Sequence, residues 1–409
     1  MIACALSDGV METPLKSWQR SAIRNSMERY RRAQEDYYGG GKPLVEVEGG
    51  YKAFSLVSPP MGSPATRRRI RLIMENMVRS AKPGAIGLAR TPHVATVAVT
   101  YNCQCECAHC SAADYQQETG RNGHALKYHE LRGAIDEALD LGTTCVVLTG
   151  GEPLLYEKIY DLVAAVDRSR SVCTLFSNGE FLRERTIARL KAAGLYGVFV
   201  SFDFPDAARH DANRGRPGLF AKAARGLELC REAGLLTGIS TYVTREKMCN
   251  GEMDDMMDLA RTLNVLEVFL FDVIPVGRME QRRECLLTDE EAAQVKEFRQ
   301  RYAERLDYPR VIHQTMFASI AYPCVAEGCP AAMVQLHLRA NGDVSPCDFT
   351  PLSFGNIRER PLREIWEAMA KCELYAQPSA RCRLSRPDFW VKLDELGHQP
   401  LAPTSTFPS

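Results

Sequence analysis

From about residue 93 the chain alternates short, almost wholly apolar runs with segments whose apolar residues recur every three or four positions. The runs lie at 93–101, 145–149, 172–177, 197–203, 237–243 and 267–274, and the periodic segments centre on 128–141, 157–168, 183–193, 218–233 and 252–263. A run of that length with no polar face predicts a strand buried on both sides. Spacing of three and four predicts an amphipathic helix. Strands and helices in strict alternation predict a parallel sheet wrapped by crossover helices, hence an α/β fold. Six such units are too few for a closed eight-fold barrel, so a partial (β/α)6 TIM barrel is expected. Its chemistry should gather at the C-terminal ends of the strands.

The first 90 residues read differently. Thr13-Pro14 is a helix start, with an N-cap and a proline at the first helical position. Leu15, Trp18, Ala22, Met27, Tyr30, Ala33 and Tyr37 then follow at helical spacing. Apolar stretches on either side of Gly49-Gly50 predict a hairpin, and Arg67, Arg68, Arg69 and Arg71 open a second helix. The arginine run reads either as a solvated helix face or as a contact for an anionic substrate. The expected division is an N-terminal extension of helix, hairpin and helix at 1–90, acting as a lid or substrate-side module. A core at 91–310, a small cysteine-bearing domain at 311–395 and a disordered Pro/Ser/Thr-rich tail at 396–409 follow.

Composition narrows the setting. Lys plus Arg, at 51, balances Asp plus Glu, at 51, so charge gives no reason to expect nucleic acid or an anionic membrane as partner. No apolar run approaches the roughly 20 residues of a membrane-spanning helix, and no signal peptide is evident, so a cytoplasmic protein is expected. Fifteen cysteines are many for a reducing compartment. Cys145, Cys173 and Cys230 sit within apolar patterns and read as buried free thiols. Most others cluster at 103–110 and 324–382, which points to metal or iron–sulfur ligation.

The loop after the first core strand contains Cys103, Cys105, Cys107 and Cys110. Cys103, Cys107 and Cys110 are spaced C-x3-C-x2-C, which wraps one iron–sulfur cube and leaves its fourth iron open to a ligand. A zinc knuckle through Cys105, Cys107 and Cys110 is the competing reading. Later strand ends add Gly150-Gly151-Glu152-Pro153, Ser177-Asn178-Gly179, Ser201-Phe202-Asp203, His210-Asp211-x-x-Arg214-Gly215 and Ile274-Pro275-Val276-Gly277-Arg278.

Taken together in register, these motifs resemble the radical S-adenosylmethionine (SAM) superfamily. The resemblance implies that the three cysteines bind a [4Fe–4S] cluster whose open iron chelates the methionine part of SAM. One electron then splits a C–S bond, and the 5′-deoxyadenosyl radical takes a hydrogen atom from substrate. It also implies that the carbonyls of Gly150 and Gly151, together with Glu152, receive the SAM ammonium, and that Pro153 belongs to the same cofactor-binding motif. Ser177, Asn178, Ser201 and Asp203 would contact SAM at the strand tips, with Arg214 pairing with its carboxylate and Ile274 belonging to the adenine platform. His109 stands where the family usually has an aromatic residue. Cys105 is expected to be no ligand.

Downstream, Cys329, Gly342 and Cys347 are spaced C-x12-G-x4-C, with a glycine turn that brings both thiols together across a hairpin. Cys372 and Cys382 follow. A zinc site from the same residues is the alternative. This segment resembles the SPASM/twitch extension of radical SAM enzymes but lacks the usual dense cysteine run. One auxiliary [4Fe–4S] cluster is therefore expected, on Cys329, Cys347 and Cys382, with Cys372 or Cys324 as the fourth ligand. The resemblance implies an oxidoreductase or maturase acting on a cofactor precursor or a peptide, fed by a reductant such as flavodoxin or ferredoxin. No winged-helix leader-binding pattern is evident at 1–90, which tilts the expectation toward a small molecule. Competing readings are a radical SAM methyltransferase and a non-catalytic iron–sulfur carrier or redox sensor; neither carrier nor sensor needs the Gly-Gly-Glu-Pro segment.

Overall fold

A computed structural model of the chain describes residues 41–80, 90–116, 125–316 and 328–396. The helix expected after Thr13, Cys324 and the tail from 397 lie outside them. The six expected core strands are present as β3 (Val94–Thr100), β4 (Cys145–Gly150), β5 (Val172–Ser177), β6 (Gly197–Ser201), β7 (Leu236–Val243) and β8 (Glu267–Asp272). Each pairs in parallel with the next. Between them run α2 (Tyr128–Leu141), α3 (Ile159–Ala165), α4 (Glu184–Ala193), α5 (Ala207–Arg214), α6 (Leu219–Glu232), α7 (Arg245–Cys249) and α8 (Glu252–Thr262). In α2 the buried residues are Leu131, Ala134, Ile135, Ala138 and Leu139, one apolar stripe turned to the sheet.

The sheet is longer than six strands. After α9 (Asp289–Glu304), β9 (Arg310–His313) extends it in parallel beyond β8. At the other edge β10 (Gln335–Leu338) runs parallel to β3, and β11 (Val344–Ser345) folds back antiparallel on β10. The C-terminal cysteine segment is thereby stitched directly onto the first core strand. Helices α10 (Leu362–Lys371), α11 (Glu373–Ala376) and α12 (Pro387–Leu396) close the chain.

Alternate strand residues serve two apolar layers, as a period of two requires. Val97, Val99, Val146 and Leu148 pack under the helices. Val94, Cys145, Val147 and Phe199 face inward, where they meet Ala53, Phe54, Leu56 and Val57. Ala53 ends the hairpin of β1 (Val45–Val47) and β2 (Tyr51–Ala53), and the other three follow it. The segment packs against the inner face of the sheet. Leu56 N donates to Glu267 at 2.6 Å and Thr174 Oγ1 donates to the Leu56 carbonyl at 2.6 Å.

The arginine run in α1 (Pro64–Ser80) divides: Arg67 and Arg71 are exposed, as a solvated face requires, while Arg68 and Arg69 turn inward. Arg69 is 2% exposed and donates to Thr144 Oγ1 at 2.9 Å and Ser58 Oγ at 2.7 Å. Arg68 donates to the Thr143 carbonyl at 2.8 Å and to that of Leu139 at the end of α2. These guanidinium groups fasten α1 to the start of β4, at the far end of that strand from Gly150. Among the described residues no helix is long and apolar enough to cross a membrane.

Candidate active site

Cys103 follows β3, and its loop is held by main-chain bonds from two sides. Glu106 N donates to the Arg214 carbonyl and Ala108 N to the Asn213 carbonyl, both at 2.9 Å. From the other side Arg278 N donates to the Cys110 carbonyl at 3.1 Å, and the Arg278 guanidinium reaches the Cys107 carbonyl at 2.7 Å. Gln104 adds a side-chain tie, donating to Glu180 at 2.8 Å and Asn178 at 3.2 Å. The segments after β5, β6 and β8 thus converge on one loop and fix it.

Cys103, Cys107 and Cys110 are half-buried on the wall of a cavity of about 300 Å³. Gly150, Gly151, Ser177, Asn178, Ser201, Asp203, Arg214 and Ile274 line the same cavity. Gly150 and Gly151 are confined by backbone. A Cβ on Gly150 would stand 2.0 Å from the Thr100 carbonyl oxygen, and one on Gly151 would stand 2.4 Å from that of Asn102. Only glycine lets β4 run this close to the start of the cysteine loop.

Glu152 and Pro153 are placed differently from the expectation. Glu152 is fully buried behind the glycines and off the cavity wall. Its carboxylate accepts from Ser177 Oγ at 2.9 Å, Asn178 N at 2.8 Å and Leu154 N at 3.0 Å. Burial pushes its pKa up to about 7 against those hydrogen bonds. Glu152 therefore ties the second strand tip to the third. Pro153 is likewise buried and off the wall.

Asp203 and Arg214 form a buried pair at 2.7 Å. Burial opposes ionisation of Asp203, yet Arg214 and His109 outweigh it and hold the carboxyl below its usual range. Asn213 Nδ2 donates to the other Asp203 oxygen at 2.8 Å. Arg214 Nε is buried with no acceptor. Its charge also favours the Cys107 thiolate. The larger influence there is the Cys105 thiol, whose hydrogen bond lowers Cys107 to about 7 and also lowers Cys103. Cys110 is pushed up to about 11 by burial. Cys105 keeps its proton between two neighbouring sulfurs, a donor to them rather than an equal of them. The His109 ring lies 4.3 Å from that of Tyr242, and burial lowers its pKa to about 4, so it is neutral near pH 7.

The second cysteine group opens on this same cavity. Cys329, Cys347 and Cys382 line it. A hydrogen bond from the Cys382 thiol lowers Cys329 to about 6, and Cys382 is raised in turn. Cys372 is buried but off the wall. No motif points to Asp272, Asp348, Thr241, Gln314 or Phe349, which also line the cavity.

Among the described residues no three Cys, His, Asp or Glu side chains converge closely enough to hold a single metal ion. A cluster makes a different demand, because each thiolate reaches its own iron. Soft thiols on an enclosed wall, glycine backbone beside them, and a buried guanidinium with one nitrogen lacking an acceptor fit an iron–sulfur cluster with a carboxylate-bearing ligand at its side.

Comparison with known proteins agrees. The profile of the Radical SAM superfamily matches residues 97–260, and that of the SPASM iron–sulfur cluster-binding domain matches 329–384. The chain is 27% identical over 286 residues to the AdoMet-dependent heme synthase of Nitratidesulfovibrio vulgaris, covering 66% of this chain and 77% of that one. It is 25% identical over 288 residues to the PqqA peptide cyclase of Granulibacter bethesdensis, covering 68% and 74%. Streptococcus suis SuiB bound to S-adenosylmethionine shares the fold, with a TM-score of 0.57 at 16% identity over 78% of each chain.

Proposed function

The chain is a radical SAM enzyme with a C-terminal SPASM domain, and on that premise we propose that Cys103, Cys107 and Cys110 hold the cluster at which SAM is reductively cleaved. The carrying observation is that these thiols, Gly150-Gly151 and the Asp203–Arg214 pair share one cavity wall. A [4Fe–4S] cluster there, when bound, supplies one electron to a sulfonium C–S bond of SAM, giving methionine and a 5′-deoxyadenosyl radical that takes hydrogen from substrate.

The chain's own residues bind and orient. Main-chain groups of Gly150 and Gly151 approach the methionine ammonium, with Glu152 fixing their position from behind. Arg214, locked by Asp203, turns its unpaired nitrogen to the SAM carboxylate. Ser177, Asn178 and Ser201 offer polar contacts at the strand tips, and Ile274 walls the adenine. His109 and Tyr242 form a neutral aromatic flank.

Cys329, Cys347 and Cys382 would hold an auxiliary [4Fe–4S] cluster, which when bound would accept the electron that a substrate radical gives up as it is oxidised. The reaction is then an oxidative maturation of a peptide or cofactor precursor. Curated relatives carry names of both kinds, heme synthase and peptide cyclase. A small electron-transfer protein such as flavodoxin or ferredoxin supplies the reducing equivalent.

The test is anaerobic reconstitution, reduction with dithionite, addition of SAM and chromatography for 5′-deoxyadenosine. Wild-type protein should release it only when reduced, and the Cys103/Cys107/Cys110→Ala variant should release none. A wild-type protein loaded with iron that forms no 5′-deoxyadenosine would overturn the assignment.

A further inference from the structure

The cavity wall between the two cysteine groups carries polar groups that neither thiol set uses. Asp272 ends β8, and its Oδ1 lies 2.9 Å from His313 Nε2. Its Oδ2 accepts from Gln314 Nε2 at 3.1 Å. A carboxylate can only accept, so this bond fixes which end of the Gln314 amide is nitrogen. The amide oxygen is left turned elsewhere, buried and without a donor, on a residue 7% exposed. Thr241, 3% exposed, also has an unpartnered hydroxyl. Both residues line the cavity. A buried acceptor with no donor costs about 1–3 kcal/mol, so two of them on one wall mark a place where a ligand completes the bonding.

Charge gives the sign of that ligand. Asp348, bonded to His337 at 3.1 Å and Gln335 at 2.8 Å, joins Asp272 on the wall. Arg214 is the one Lys or Arg among the described lining residues, and Asp203 already pairs with it. Arg381, whose field reaches Asp272, is tied to Asp289 and the Leu287 carbonyl and stays off the wall. Phe271 and Phe349, with ring centroids 5.8 Å apart, give the same cavity an apolar face.

We propose that Asp272, Gln314 and Thr241 form the substrate subsite, which takes a protonated nitrogen on a substrate whose apolar body rests on Phe271 and Phe349. The substrate is thereby an amine or a cationic peptide and not a polycarboxylate. This deepens the proposed function and rests on its reading of the cavity.

The test uses the reconstituted holoenzyme with SAM and no reductant, titrated calorimetrically with phenethylamine and with phenylpropionate. The two probes match in size and differ in charge. The amine should bind about tenfold or more tighter, the scale of one hydrogen bond to a charged group. Gln314→Leu and Asp272→Asn should each bring the ratio toward one. A third arm, acetyl-phenylalanyl-lysine amide, separates the sources. Tighter binding than phenethylamine marks a peptide, and weaker binding marks a free amine. Equal or tighter binding of phenylpropionate, a preference that survives both variants, or no amine binding at millimolar concentration would overturn the proposal. Wild-type 5′-deoxyadenosine formation is read separately. If it persists while the amine preference fails, only the subsite is lost.

Discussion

A Cβ on Gly277 would lie 2.3 Å from the carbonyl oxygen of Cys110. The segment after β8 and the cysteine loop after β3 are thus packed backbone against backbone, and Gly277 also holds a φ of 59°. Gly277→Ala should push Cys110 out of place. We expect the variant to fold but to take up less iron at its first site, measured as iron per chain after reconstitution. Full iron content with unchanged 5′-deoxyadenosine formation would show that this contact does not position the loop.

The Asp203–Arg214 pair is buried on both sides, so removing one partner strands a charge. Such losses are destabilising by about 3–5 kcal/mol. Arg214→Met should lower stability on that scale in urea unfolding and weaken SAM binding as well. A variant with wild-type stability and SAM affinity would contradict the role given to the pair.

The six inner strands are legible in the sequence because both of their faces are buried, which writes them as apolar runs. The cysteine loop stands out in the sequence because its C-x3-C-x2-C spacing is one that three thiols on a single cube would require. The edges of the sheet are legible only in part. The turn at Gly342 announces the β10–β11 hairpin, but not its pairing with β3, where Thr96 and Leu336 stand 240 positions apart, and Arg310–His313 mixes polar and apolar residues. Gln314 and Thr241 belong to no motif and reach the cavity through topology alone. The arginines of α1 look solvated by type, and only the packed structure shows Arg69 buried.

Glu267 has a pKa raised from 4.5 to about 7 by burial, its hydrogen bonds to Leu56 and Ser55 acting the other way. A raised folded-state value means the folded protein holds the proton more tightly than the unfolded chain. The stability this gives is full below pH 4.5 and is lost as pH rises through about 7. Glu267→Gln cannot titrate, so its unfolding midpoint should decline less than that of the wild type between those values. Parallel pH profiles would contradict the assignment.

Arg69 donates to Thr144 and Ser58 from a buried position remote from Gly150. Arg69→Leu should reduce stability by about 1.5–3 kcal/mol, the worth of hydrogen bonds from a charged group. Calorimetric titration of the folded variant should give wild-type SAM affinity. Weaker SAM binding at full stability would return these arginines to the ligand site.

Cys103, Cys107 and Cys110 are the proposed SAM-responsive centre. The decisive measurement pairs iron analysis with electron paramagnetic resonance of the dithionite-reduced Cys103/Cys107/Cys110→Ala protein, with and without SAM. The expected result is about four irons fewer per chain than wild type, and a remaining signal that SAM does not alter. Unchanged iron, or a spectrum that still shifts when SAM is added, would contradict it.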